Sequence, residues 1–132
     1  MKTILITLVL SVSLFAMNYK DFAKQMNYET DYKVAVEKAK KENKELMLFM
    51  VANFCPWCIK FEKKVLKKEA INTQIHKKYV PLILNREEGK FPEQFKTEMI
   101  PTAYFVDAKS EKVSQKIVGY HNRATFIDIV EK

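Results

Sequence analysis

Leu46-Met47-Leu48-Phe49-Met50-Val51-Ala52 runs without a charge into Asn53-Phe54-Cys55-Pro56-Trp57-Cys58, and a charged amphipathic run begins at Ile59. A short stretch that is apolar at every position suits a strand covered on both faces. Cys55 and Cys58, the only cysteines in the chain, therefore fall where a strand meets the first turn of a helix. Pro56 fits that turn because its missing N–H would have had no intrahelical acceptor. A dithiol placed there favours reversible thiol–disulfide exchange over a structural crosslink.

The two sulfurs have different expected roles. Cys55, at the helix entrance, receives the positive end of the helix dipole and free N–H donors, both of which favour thiolate over thiol. Cys58 lies about one turn onward and can attack a mixed disulfide formed by Cys55. A permanent structural disulfide is the weaker reading, because the loop it closes is very short. A structural zinc site is weaker still: it generally needs four ligands, and the only histidines, His76 and His121, show no regular ligand spacing with the cysteines and read as surface residues. Trp57 reads as a flat apolar surface on the rim of the site, and Phe54 divides evenly between facing a partner and packing.

On either side of this stretch the chain alternates helix-like and strand-like pieces. Asp31 to Glu42 places Val34, Ala35, Lys38 and Ala39 at helical spacing, with Asp31 as the cap. After the cysteines comes a helix with Phe61, Val65 and Leu66 as apolar positions, then a second helical piece with Ile71 and Ile75 four apart. Val80 to Leu84 reads as a buried strand that tolerates Pro81 only near its start. Phe91 to Glu98 reads as a short helix with Pro92 in its first turn. Thr102 to Val106 and Val113 to Val118 are further strands joined by a turn at Asp107 to Ser110, and Gly119 precedes a final helix from Arg123 to about Val130. The core expected from these elements is Phe49, Phe61, Val65, Leu82, Leu84, Phe105, Val106, Ile117, Phe126 and Ile129. Tyr104 and Phe105 should point to opposite faces of their strand. The order of elements fits one α/β domain with a central mixed sheet flanked by helices.

The N-terminus predicts where the chemistry takes place. Lys2 precedes an apolar stretch from Ile4 through Phe15, and the chain turns polar at Asn18, which is the layout of a secretory signal peptide. Cleavage is expected after Ala16, with Ser13 as the rival position, leaving residues 17–132 as the domain. A membrane anchor is the minor alternative, because the stretch is short of the roughly 20 apolar residues a helix needs to span a bilayer.

The chain has 23 lysines and arginines against 16 acidic residues, a net charge of +7. Such a charge can steer toward acidic proteins or anionic membrane surfaces. The lysines are mixed with glutamates on amphipathic runs, so a solvated helix face is the first reading. Nucleic-acid binding is not expected, since no finger, helix-turn-helix or aromatic RNA-binding motif accompanies the charge.

Taken together, the strand leading into Cys55-Pro56-Trp57-Cys58, the strand at Val80 to Leu84, the Ile100-Pro101-Thr102 step and Gly119 before the last helix resemble the thioredoxin superfamily. The likeness is to small exported members related to the C-terminal domain of the bacterial transmembrane disulfide reductase, and it spans roughly Asp31 to Lys132. It implies a thioredoxin-like fold and a cis bond at Ile100–Pro101 beside the cysteines, with Ile100 offering main chain and a small apolar contact to a substrate peptide. The departures are specific. Phe54 stands where the family commonly has Trp, Pro56-Trp57 replaces Gly-Pro, and Phe49 occupies the place of a buried aspartate that serves as proton acceptor in thioredoxins. Glu62, four residues after Cys58, could approach the site but reads first as a salt-bridged surface residue.

The expectation is an exported, periplasmic thiol–disulfide oxidoreductase, acting as a monomer and reducing protein disulfides, its only redox group the reversible Cys55–Cys58 disulfide. Such a protein needs an electron donor, for which a membrane disulfide reductase is the candidate, since no nicotinamide or flavin site is present in the sequence. A disulfide oxidant or isomerase is the enzyme alternative. A redox-inactive interaction protein using Trp57 and the basic surface is the other.

Overall fold

The computed structural model describes residues 18–132; the expected signal peptide and its cleavage positions lie outside the described residues. Among those described, no helix is long and apolar enough to cross a membrane.

β1 (Glu45–Val51) forms where the uncharged run predicts a strand, and it is the centre of the molecule. It pairs in parallel with β2 (Tyr79–Asn85) and antiparallel with β3 (Thr102–Val106), which pairs antiparallel with β4 (Val113–Val118). The mixed sheet has the order β2-β1-β3-β4. Pro81 sits well inside β2 without breaking it. The flanking Glu29 N–H donates to the Pro81 carbonyl and the Ile83 N–H to the Glu29 carbonyl, so Pro81 presents its nitrogen to the outer edge and β1 loses no hydrogen bond.

Helices cover both faces. α1 (Tyr19–Met26), α3 (Pro56–Phe61), α4 (Glu69–Lys78) and α5 (Arg123–Glu131) lie on one face, where Phe22, Phe49, Phe61, Ile75, Phe105 and Phe126 are buried. α2 (Tyr32–Glu42) covers the other, over Leu46, Leu48, Leu82, Tyr104 and Val106. Tyr104 and Phe105 do point to opposite faces, and both are buried because each face has a helical cover. Burial of a large apolar side chain is worth about 1.5–3 kcal/mol, which makes these two layers the main support of the fold.

Three expectations need correction. In α2 the buried face is Tyr32, Ala35, Val36 and Ala39, whereas Val34 is 53% exposed; Asp31 does cap the helix, accepting the Val34 N–H at 3.0 Å. Ile117 and Ile129 are only half-buried, packed at the margin of the core rather than in it. Phe91 to Glu98 forms a single 3₁₀ turn, Glu93–Phe95, with Pro92 outside as its cap. Only Phe95 in that stretch finds a buried place, too little apolar contact to offset the cost of nucleating a helix. His76 and His121 keep partial exposure, each bonded to a main-chain carbonyl, of Met26 and Val118 respectively.

Gly119 lies at φ +83°, and a Cβ built there would meet nothing within 4 Å. The turn after β4 therefore accounts for the glycine, and no close approach of backbone does.

Candidate functional site

The C-terminal end of β1 delivers the chain through Asn53 and Phe54 to Cys55, which is the N-cap of α3. Its Sγ accepts the Cys58 main-chain N–H at 3.1 Å, one of the donors a helix N-terminus leaves free. Cys55 and Cys58 are joined by a disulfide with an S–S distance of 2.08 Å and a Cα–Cα distance of 5.2 Å. Cys55 is half-buried at the surface, whereas Cys58, on the inner side of the helix, is 2% exposed. The two sulfurs thus differ in access, and an incoming group meets Cys55 first.

Phe54 is fully exposed and has a left-handed backbone, φ +53°. A bulky side chain seldom adopts that conformation, and here nothing in the fold covers the ring. Pro56 takes the first helical turn. Trp57 is 54% exposed and rests on the rim. Its ring lies 5.7 Å from that of Tyr120, and the Lys60 ammonium stands 4.7 Å from the indole and 4.9 Å from the Tyr120 ring. A cation within reach of both rings is attracted to each of them.

The Ile100–Pro101 bond is cis. Pro101 is buried, and its carbonyl accepts the Gly119 N–H at 2.8 Å. Ile100 is half-buried and packs against both apolar layers, so its side chain belongs mainly to the core. The exposed apolar group of this loop is Met99, which the sequence did not single out. Phe54, Trp57, Ile59 and Met99 make up most of the large apolar side chains exposed among the described residues. Concentrated exposed apolar surface marks a place of contact with another molecule.

Glu62 is the further residue that reading the sequence placed wrongly. It is buried, at 5% exposure, not on the surface. Burial pushes its carboxyl up to about 7, against the pull of Lys67 and Lys63. It shares a cleft of about 340 Å³ with Cys55, Cys58 and Asn85. Tyr28 is buried as well, and its own ionisation is suppressed first by burial and then by Glu62; its hydroxyl has no hydrogen-bond partner among the described residues. The helix widens here into a π turn, Glu62–Leu66, closed by the Lys67 N–H bonding to the Glu62 carbonyl at 2.9 Å. Such turns recur at functional sites. The signal was present: Cys58, Phe61, Glu62, Val65 and Leu66 follow the spacing of one helix face, so a carboxylate at that position is turned inward with its apolar neighbours.

Among the described residues no group of three or more histidine, cysteine and acidic side chains could hold a metal ion. A larger hollow, about 740 Å³, lies beside α2 and is lined by Tyr32, Phe91 and Glu111 without either cysteine.

Residues 32–132 match the family described as a thioredoxin-like domain. An uncharacterized protein of Borreliella burgdorferi is 27% identical over 92 residues, which are 70% of this chain and 40% of that protein. The chain thus spans well under half the length of this curated relative. The solution structure of a thioredoxin from Thermus thermophilus is similar with a TM-score of 0.68 and 18% identity, over 79% of this chain and 84% of that one. The oxidised C-terminal domain of DsbD from Neisseria meningitidis is similar with a TM-score of 0.62 and 18% identity, over 79% and 97% of the two chains.

Proposed function

Because this chain belongs to the thioredoxin-like domain family, and carries a Cys55-Pro56-Trp57-Cys58 disulfide that matches a redox motif, we propose that it is an exported thiol–disulfide oxidoreductase that reduces protein disulfides. The observation that carries this reading is the asymmetry of the pair, one sulfur reachable at a helix entrance and the other buried beside a carboxyl group.

In the reduced protein the Cys55 thiolate attacks one sulfur of a substrate disulfide. A Cys55–substrate disulfide forms, and the other substrate sulfur leaves as a thiolate that takes up a proton. Cys58 then gives its proton to Glu62 and attacks the Cys55 sulfur. The intramolecular disulfide closes, the second substrate sulfur leaves, and two electrons have passed to the substrate. A carboxyl group that titrates near 7 is suited to accept a proton in this range, and it fills the role left open by Phe49. The oxidised form returns to the dithiol by the reverse exchange with an external dithiol donor, for which a membrane disulfide reductase fits an extracytoplasmic protein. Residues 1–16 as a signal peptide would deliver the domain at 17–132 to that compartment, where it acts as a monomer. In this reading Ile100 and Pro101, just before the Thr102 that pairs with Met50 near the end of β1, offer main chain to the polypeptide that carries the disulfide, and Phe54 and Trp57 offer apolar contact.

Trapping tests the assignment. Cys58→Ser should accumulate a mixed disulfide through Cys55, and Cys55→Ser should reduce capture to background, both read by mass spectrometry under non-reducing conditions. The reverse pattern would exchange the roles of the sulfurs, and capture by neither variant would favour an interaction protein. A redox titration against a dithiol buffer sets the direction: a strongly negative potential supports reduction, and one near the oxidising end of the family range supports donation of disulfides.

A further inference from the structure

The turn that follows β2, Asn85 to Glu88, reaches three separate segments around the cysteines. Asn85, which is buried, donates through Nδ2 to Asn53 Oδ1 at 2.7 Å. Glu87 Oε2 accepts the Asn53 main-chain N–H at 3.1 Å, and Asn53 directly precedes Phe54. Arg86 Nη1 donates to the Glu98 carbonyl at 2.7 Å, directly before Met99. Arg86 Nε also stands 3.5 Å from Glu87 Oε1. A continuous chain of polar contacts therefore runs from Asn53 through Glu87 and Arg86 to Glu98, joining the two loops that bear the exposed Phe54 and Met99. The third tie is to α1: Glu88 Oε1 lies 3.9 Å from Lys20 Nζ. The turn is itself braced, since Asn85 Oδ1 accepts the Glu87 N–H at 3.0 Å and Gly89 closes it at φ +62°.

We propose that this turn is a positioning clamp for polypeptide substrates, setting the separation of the Phe54 loop, which leads into Cys55, from the Met99 loop, which leads into the Thr102 that pairs with Met50 near the end of β1. The proposal rests on the oxidoreductase reading above and deepens it by assigning Arg86 and Glu87 a positioning role, felt by a polypeptide long enough to touch both apolar side chains. A small disulfide reaches Cys55 without spanning the two loops. Arg86 touches no reacting atom in this scheme and acts through the loops it joins. Misplacement of binding groups by about 1 Å can cost on the order of 100-fold in rate, so a surface contact of small worth to stability can still matter to recognition.

Arg86→Met cuts the chain between the loops, and Arg86→Lys keeps one donor. Reduction of insulin and of glutathione disulfide, each with dithiothreitol as electron source, separates the possibilities. We expect Arg86→Met to raise the KM for insulin about five- to tenfold with kcat within about twofold, to lose at least fivefold less on glutathione disulfide, and Arg86→Lys to restore at least half of the lost kcat/KM on insulin. An equal loss on both disulfides, an unchanged KM for insulin, or no recovery with lysine overturns the clamp. Should Arg86→Met not fold, Glu87→Ala breaks the same chain at Asn53 and must give the same split. Wild-type protein that reduces neither disulfide rejects the oxidoreductase reading itself, before any variant is compared.

Discussion

The two faces of the sheet solve the same packing problem with different tolerance for polar groups. Under α2, the buried tyrosines have their hydroxyls engaged: Tyr104 donates to the Phe95 carbonyl and Tyr32 to Glu111. On the opposite face, the layer that buries Cys58 also holds Glu62, with its carboxyl raised to about 7 by burial, and Tyr28, whose hydroxyl has no partner among the described residues. Unpaired buried polar groups cost stability, typically about 1–3 kcal/mol each. That the unpaired Tyr28 hydroxyl and the buried Glu62 carboxyl lie in the layer that buries Cys58 is the pattern expected when a site departs from the rules that the rest of the fold obeys.

The largest effects should come from truncating each apolar layer. Phe126→Ala on the cysteine side and Phe95→Ala under α2 each empty a fully buried ring position, and each is expected to cost about 3–5 kcal/mol of unfolding free energy. Chemical denaturation checks the magnitudes. The contrast between faces is broken if Phe95→Ala, where folded, shifts the reduction potential of the dithiol as much as Phe126→Ala does.

Glu62→Gln sharpens the contrast and should act in the opposite direction. A carboxyl group whose pKa rises from 4.5 to about 7 on folding is protonated in the folded chain and ionised in the unfolded chain between those values. Stability therefore falls as pH climbs from about 4.5 to about 7, and then levels. Removing the charge should stabilise the oxidised protein on the order of 1–3 kcal/mol above pH 7, with the gain fading toward pH 4. Thermal unfolding across that range would show the divergence. If Glu62 accepts the Cys58 proton, the same variant should also slow release of the mixed disulfide. A pH-independent difference in melting temperature would contradict the burial argument.

How much of this could be read in advance depends on the range of the contacts. β1, β3 and β4 were legible because uninterrupted or alternating apolar runs report their own strand character, and the Cys55 cap follows from a strand running into Pro56 at a helix entrance. Helix faces were less legible. Val34 fell on the expected stripe and Val36, which is buried, did not, because spacing alone does not tell which of two adjacent apolar stripes meets the sheet. Glu62 was misplaced because a charged residue was weighed by its type rather than by its position among Phe61, Val65 and Leu66. The Asn85–Glu88 turn was not legible at all. Its partners Asn53 and Glu98 are 34 and 12 residues away from the side chains that bind them, and polar residues in a loop carry no periodic pattern. Met99 carries no sequence signal for a related reason: nothing local distinguishes its exposed side chain from that of Ile100, which turns inward to both layers.

Helix capping gives a smaller and purely local effect. Asp31→Ala removes the acceptor of the Val34 N–H at 3.0 Å on the α2 side and should cost about 1 kcal/mol. Because α2 has no contact with the dithiol in the scheme above, insulin reduction at a temperature where the variant is fully folded should match wild type. A matching loss of activity would show that the two faces communicate.

The smallest expected change in stability is also the one that bears most directly on recognition. Phe54 holds a left-handed backbone at φ +53° while its ring is wholly exposed. The other non-glycine residues at positive φ include Asn27 and Asn43, which end helices where asparagine is well tolerated. No such local reason supports a phenylalanine. In L-residues this conformation costs roughly 1–2 kcal/mol, which glycine avoids, but glycine gives back about 0.5–1 kcal/mol in unfolded-chain entropy. Phe54→Gly should therefore leave stability unchanged or improve it by up to about 1 kcal/mol, while the KM for insulin rises and exchange with glutathione disulfide changes little. Backbone strain that persists at a functional position is expected where the side chain serves a partner rather than the fold. A clear loss of stability in Phe54→Gly would mean instead that the ring supports the domain, and the apolar rim would then have to be assigned to Trp57 and Met99 alone.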